Sequence, residues 1–357
     1  MSSISLTASS HKYVNDKKTI ERQLESFFDE VAKLGVERLF IHSTHGRTDL
    51  TLICNNTFDT NLPALFILKF TAPCLNLSAR VNSVALQRLG MKAPTFYSWD
   101  TDAAINKKVS TIVKERFSYT TAEKHFTFME AVPGADLGHL ISTRALFKLT
   151  KEDWYRCLNL CGKIAVFDLL LANDDRFYRP HPLYGIEEPP IFCNKGNLML
   201  HLPLVEKERR TLDDVFCIDN ASTSNLRTRT KKTHSKNQRN YLTLLFEAFK
   251  KFNHVDFQNT FASIIFKGIS NHIRLEIPDD RELRILFLDR VEALPEIRKG
   301  IIEGYRQISE LDPEEFLQTL KDTHLHLQID LESVTFMEAA FEHIRECLNH
   351  LQGGNGQ

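Results

Sequence analysis

The chain has 357 residues, 42% of them hydrophobic and 25% charged, which is enough for two packed units or one bilobal domain. A formal charge of −1 excludes a generally basic nucleic-acid binder and confines any anion site to a local patch. No apolar run approaches the ~20 residues of a membrane span, and Met1-Ser2-Ser3-Ile4-Ser5-Leu6 lacks a signal-peptide core, so no transmembrane segment and a cytosolic protein are expected. Seven cysteines without a Cys-x-x-Cys pair read as buried thiols in a reducing compartment.

Residues 1–18 are polar and expected to fray. A helix is predicted over Lys18–Leu34, where Ile20, Leu24, Phe27, Phe28, Val31 and Leu34 recur at helical spacing before Gly35. Strands are predicted over Val36–Ser43, Asp49–Cys54 and Ala64–Phe70. A second helical pattern runs through Val81, Val84, Ala85 and Leu89 to Gly90, and further strands cover Pro94–Trp99, Ser110–Phe117 and Thr127–Val132. Pro133-Gly134 closes this region. Trp154–Leu171 then reads as a long buried helix, and Leu198–Leu202 and Val215–Ile218 as a short strand pair. Residues 241–265 are amphipathic and Phe-rich, and the last ninety residues look helical. The expected fold is α+β: a bilobal, protein-kinase-like plan with a small β-rich N-lobe over 19–132 and a large, mainly helical C-lobe over 133–350.

Polar residues of one chemical kind close several of these apolar runs. Asn173-Asp174-Asp175-Arg176, Gly196-Asn197 and Ile218-Asp219-Asn220 present an acid, an amide and a second acid at equal intervals. Phosphoryl transfer needs that set: one carboxylate to orient an acceptor hydroxyl, and an amide oxygen and a carboxylate to hold Mg²⁺. Each piece alone also reads as a plain turn. Asp168 and Asp174 compete with Asp175 for the acid role; Asp168 is flanked by apolar residues and can bond Arg176, which can also pin a loop. Lys69, inside Ala64–Phe70, needs an anion or solvent, and a nucleotide's phosphates would supply the anion. Phe128–Val132, with Met129 and Glu130, is the candidate hinge whose backbone meets an adenine edge. Ser43–Thr48 holds one glycine and is a weak phosphate-loop signal. His324 and His326 point apart on a helix and do not suggest a metal site.

A basic run follows. Arg227, Arg229, Lys231, Lys232, Lys236 and Arg239 fall within thirteen residues, with no acid from Ala221 to Tyr241. A solvated loop is the plain reading; the others are an acidic protein substrate, an anionic membrane surface or a polyanionic small ligand. Such a segment repels itself until an anion neutralises it, so an anionic activator is expected, a highly phosphorylated inositol above all. Lys207, Arg209 and Arg210 can add to the patch.

Four pieces occur in order: Phe167-Asp168, then Asn173-Asp174-Asp175-Arg176, then Gly196-Asn197, then Asp219-Asn220. With Ala293-Leu294-Pro295-Glu296-Ile297-Arg298-Lys299-Gly300, they give the stretch from Lys69 to about Gly300 a pattern that resembles the atypical protein kinases of the actin-fragmin kinase type. The resemblance implies Asp175 as catalytic base, Arg176 beside it, Asn197 and Asp219 as Mg²⁺ ligands (Mn²⁺ in its place), and Lys69 on the phosphates of ATP. Joined to the basic run, the core also looks like a secreted Legionella effector kinase that host inositol hexakisphosphate switches on, which implies work in a host cytoplasm. One departure stands out: no acid lies between Lys69 and Asp100 to pair with Lys69 from the intervening helix. Asn82 or Gln87 could hold it by a neutral hydrogen bond, or a carboxylate such as Glu25 or Glu30 could come from elsewhere. The expected activity is ATP- and Mg²⁺-dependent phosphorylation of protein Ser or Thr. The competing readings are a kinase-fold adaptor that binds inositol phosphate or anionic lipid, and an AMP transferase on the same fold.

Overall fold

The computed structural model describes residues 39–41, 50–54, 66–97, 125–130, 132–178, 193–205, 209–222, 234–277, 279–323 and 331–353. The expected helix at Lys18–Leu34, the loop at Ser43–Thr48, the strand at Ser110–Phe117 and the His324/His326 pair lie outside these residues, as do Glu25 and Glu30. Within them the chain is mixed helix and sheet, and mostly helical.

Strands β1 (Leu39–Ile41), β2 (Leu50–Cys54), β3 (Phe66–Thr71), β4 (Phe96–Tyr97) and β5 (His125–Glu130) form an antiparallel sheet in the order β1-β2-β3-β5-β4. Lys69 lies in register with Thr51 on one side and Thr127 on the other, and Ile67 with Met129. Side chains alternate across a strand, so Lys69 and Ile67 share one face.

Helix α1 (Pro73–Arg88) leaves β3 directly. It begins eight residues before the predicted Val81 pattern, because Pro73 pre-sets the first turn and Cys74 and Leu77 are already buried. It ends where Gly90 takes φ +71°, a conformation glycine adopts without strain.

After the first sheet comes the long helix α3 (Lys151–Leu170), preceded by the short α2 (Leu137–Ser142). Thr150 caps α3 by accepting from the Asp153 N–H, and Glu152 and Asp153 favour its positive end. Its C-terminal half, Ile164 to Leu170, is buried without interruption, as expected for a helix surrounded by protein. A second sheet pairs β6 (Ala135–Asp136), β7 (Leu198–His201) and β8 (Asp214–Cys217) in that order, all antiparallel. The predicted pair β7–β8 therefore has a third, two-residue member.

The Phe-rich stretch is divided: α4 (His234–Lys250) ends in a 3-10 turn at Lys251–Asn253, and α5 starts at Val255 and runs to Glu276. Gln258 donates to the Phe252 carbonyl at 2.6 Å across the break. Helices α6 (Arg281–Leu288), α7 (Arg290–Ser309), α8 (Pro313–Asp322) and α9 (Leu331–Gly353) complete the described residues. Helix α1 packs against β5, α8 and α9, so the last helices brace the element beside Lys69. Cys74, Cys157, Cys161, Cys193, Cys217 and Cys347 are free thiols, all but Cys193 buried. No described helix is long and apolar enough to cross a membrane.

Candidate active site

Lys69 reaches across 150 positions of sequence to Asp219, with Nζ 2.5 Å from Oδ1. The Lys69 ammonium holds the Asp219 carboxyl below the usual carboxylate range, against the opposing effect of burial. Asp219 stands two residues past β8. The Ile218 N–H still donates to the Asn197 carbonyl at 3.2 Å, continuing the β7–β8 pairing. Asp219 then takes φ +54°, an uncommon left-handed conformation for a residue with a Cβ.

The loop after α3 is folded by local hydrogen bonds. The Asn173 N–H donates to the Asp168 carbonyl at 2.8 Å, and Asn173 Oδ1 accepts from the Asp175 N–H at 3.0 Å. Arg176 then turns inward with no exposed side-chain surface and pairs with buried Asp168. Its remaining donors reach the Asn197 carbonyl at 3.2 Å, the Ile218 carbonyl at 3.0 Å and Asn220 Oδ1 at 2.6 Å. One guanidinium thus ties the acid loop to both polar turns. Burial pushes the Asp168 carboxyl up to about 6, against the pull of Arg176.

Asp175 is gripped from the second turn. Asn197 Nδ2 lies 3.1 Å from both the Asp175 carbonyl and its Oδ2, and Asn194 Nδ2 is 3.2 Å from the same Oδ2. With Nδ2 turned to Asp175, the Asn197 amide oxygen is the atom left to face other groups. Asp175, Asn197, Asp219 and Lys69 are thereby brought to one place, joined through Arg176 and the β7–β8 end.

Several expectations change in detail. Lys69 draws its counter-charge from Asp219. The Asn82 amide nitrogen donates to the Asn220 and Leu171 carbonyls and to Ser222 Oγ, and Gln87 Nε2 donates to the Ala93 carbonyl at 2.9 Å. Arg176, grouped with the catalytic residues from sequence, is wholly buried and acts only through the loops it holds. Asp174, a competitor of Asp175 for the acid role, is buried and accepts from the Tyr241 hydroxyl. At the hinge, Met129 is buried between β3 and β4. The Glu130 N–H donates to the Thr95 carbonyl at 2.8 Å, and Glu130 Oε2 accepts from the Thr95 N–H at 3.0 Å. That reciprocal pair takes the Glu130 N–H away from an adenine edge. Arg227, Arg229, Lys231 and Lys232 lie outside the described residues, and Lys236 and Arg239 fall in the first turns of α4.

Sequence reasoning missed Asn194, Ser78, Ser83 and Ser222. Ser78, Asn82 and Ser83, polar residues within the helical pattern that leads to Gly90, were the available signal, since buried polar groups mark hydrogen-bonded joints. A cavity of about 410 Å³ lined by Arg274, Asp279, Arg281, Arg284, Ile285, Leu288 and Asp289 opens elsewhere, on α5 and α6.

The Asp219 carboxylate and the Asn197 amide oxygen are hard donors of the kind Mg²⁺ and Mn²⁺ accept, with water completing the shell. Among the described residues no group of three His, Cys, Asp or Glu side chains gathers into a metal site, so a cation here would rely on the amide and on the phosphates it accompanies. No protein-family model matches the chain, and no curated protein matches it significantly.

Proposed function

We propose that this protein is a phosphotransferase with a kinase-like bilobal plan, moving the terminal phosphoryl group of ATP to a hydroxyl of a protein substrate, Ser or Thr. The observation that carries this reading is the Lys69–Asp219 pair, which joins the first sheet to the end of β8 where Asn197 and Asp175 also meet. Asn197 and Asp219 would hold Mg²⁺ or Mn²⁺, which when bound neutralises charge on the phosphate oxygens. Lys69, oriented by Asp219, would donate to those oxygens. Asp175 would accept the hydrogen bond of the acceptor hydroxyl through a carboxylate whose position Asn194 and Asn197 fix. Arg176 keeps these loops in register from behind.

The test is transfer of labelled γ-phosphate to the protein itself or to a generic protein substrate. Replacement of Asp175 or Asp219 by Ala is expected to cut transfer by about 10²-fold or more while the fold persists. Transfer that survives both substitutions refutes the assignment, and a mass increment of AMP in place of phosphate identifies the transferred group as a nucleotide.

The same reading includes an anionic activator, an inositol polyphosphate, at the basic run from Arg227 to Arg239. Its support is placement. The run begins five residues after Ser222, which is bonded to Ser78 and Leu171 beside the site, and it ends in α4, whose Tyr241 bonds Asp174. Inositol hexakisphosphate is expected to raise turnover, and reversal of charge at Arg227, Lys231 and Lys232 to abolish that response. Equal turnover with and without the compound removes the activator from the proposal.

A further inference from the structure

Helix α1 carries Ser78, Asn82 and Ser83 on its buried side, each no more than 1% exposed. A helix face this deep is ordinarily apolar, and polar groups persist there when their hydrogen bonds are made. Asn82 is the centre of the group. Its Nδ2 donates to the Asn220 carbonyl at 2.7 Å and to Ser222 Oγ at 3.1 Å, with the Leu171 carbonyl at 3.4 Å. Asn220 Nδ2 returns a bond to Ser83 Oγ at 2.9 Å, and the Ser222 N–H donates to Ser78 Oγ at 3.1 Å. Every residue from Asn220 to Ser222 that carries a polar side chain is thus fastened to α1, immediately after the left-handed Asp219.

The helix is itself fixed. Gln307 of α7 donates to the Leu89 carbonyl at 2.8 Å, and α8 and α9 pack along it. We propose that Asn82 is a positioning residue for Asp219: its amide holds the Asn220 carbonyl and the Ser222 hydroxyl, which keeps the turn at Asp219 and aims that carboxylate at Lys69 and at a divalent cation. This rests on the reading of Asp219 as a metal ligand.

An amide is required at this position. The Asn220 and Leu171 carbonyls are both acceptors, so a carboxylate at 82 would meet two oxygens without a proton to offer. The acid that the resemblance places on this helix therefore has no place at 82, and Lys69 is balanced by Asp219. Helix α1 serves the site through the residues that follow Asp219.

The experiment uses the full chain, a non-hydrolysable ATP analogue and Mn²⁺ as the metal probe, with analogue binding measured in Mn²⁺ and in EDTA. Asn82→Asp is expected to weaken the Mn²⁺-dependent part of binding by about tenfold, the scale seen when partners behind a metal ligand are removed, and to leave binding in EDTA unchanged. Ser83→Ala is the milder variant and should weaken it in the same direction; it decides the matter if Asn82→Asp does not fold. A lower melting temperature with unchanged Mn²⁺ dependence in the folded variants would show Asn82 to be structural only and overturns the proposal. Asp219→Ala separates the two levels. Its loss of Mn²⁺ dependence beside unaffected Asn82 and Ser83 variants sinks the Asn82 role alone, whereas retained dependence sinks the metal reading and this proposal with it.

Discussion

Arg176 and Asp168 lie wholly out of water, whereas the Lys69 and Asp219 side chains keep 19% and 39% of their exposure. The first pair can only hold structure, because neither partner can meet a substrate; the second can exchange partners with an incoming anion or cation. A buried pair adds little over a well-packed apolar one, but losing one partner strands the other charge at a cost of about 3–5 kcal/mol. The loop therefore depends on both residues. His343 of α9 is a separate buried group. Its Nε2–H donates to the Leu169 carbonyl at 2.8 Å, and Nδ1 has no partner among the described residues. Burial drives its pKa down to about 4. The folded value lies below the unfolded one, so this residue's contribution is complete above the unfolded pKa of about 6.5 and is lost as pH falls from there toward 4. Urea unfolding at about pH 7.5 and about pH 5 should show the difference. His343→Gln, which keeps a donor for Leu169, should remove about 2 kcal/mol of the stability change between those conditions. An unchanged pH dependence would show that another group titrates there.

At the scale of elements, the closest packing joins α3 and α7, and glycines permit it. A methyl group on Gly162 would collide with the Ile297 carbonyl, and one on Gly300 with the Asn159 carbonyl. Backbone obstacles of this kind cannot rotate away as a side-chain tip can. Gly300→Ala is expected to destabilise by about 3 kcal/mol, at the upper end of overpacking effects. Gly353→Ala, with nothing near its Cβ position, should be close to neutral. Thermal melts of the two variants check this, and equal melting temperatures would contradict it. Most elements were legible because their apolar spacing is regular. The strands at Leu50–Cys54 and Phe66–Thr71 and the helix at Lys151–Leu170 match the sequence pattern within a few residues. The early start of α1 was hidden because Asn76 and Ser78 interrupt its apolar rhythm. Strand β6 was hidden because two residues, Ala135 and Asp136, cannot show a period. Asp175, Asn197 and Asp219 were singled out because each is a polar residue at the border of an apolar run: past Leu171, before Leu198 and after Ile218. The partners that fix them were not, because an amide in a helix gives no sign of which distant carbonyls it will meet.

Across the whole molecule, the two sheets meet at two kinds of joint. Near the surface stands the partly exposed Lys69–Asp219 pair. Deeper lie the neutral contacts of α1 with residues 220–222 and the Cys217 N–H bond to the Lys92 carbonyl at 2.8 Å. Added electrolyte weakens the first kind by shielding, while amide-to-carbonyl and hydroxyl contacts have no net charge to shield. Concentrated salt would therefore relax the arrangement at its rim and spare its root, so the two sheets would stay in register while the lysine and the aspartate drift apart.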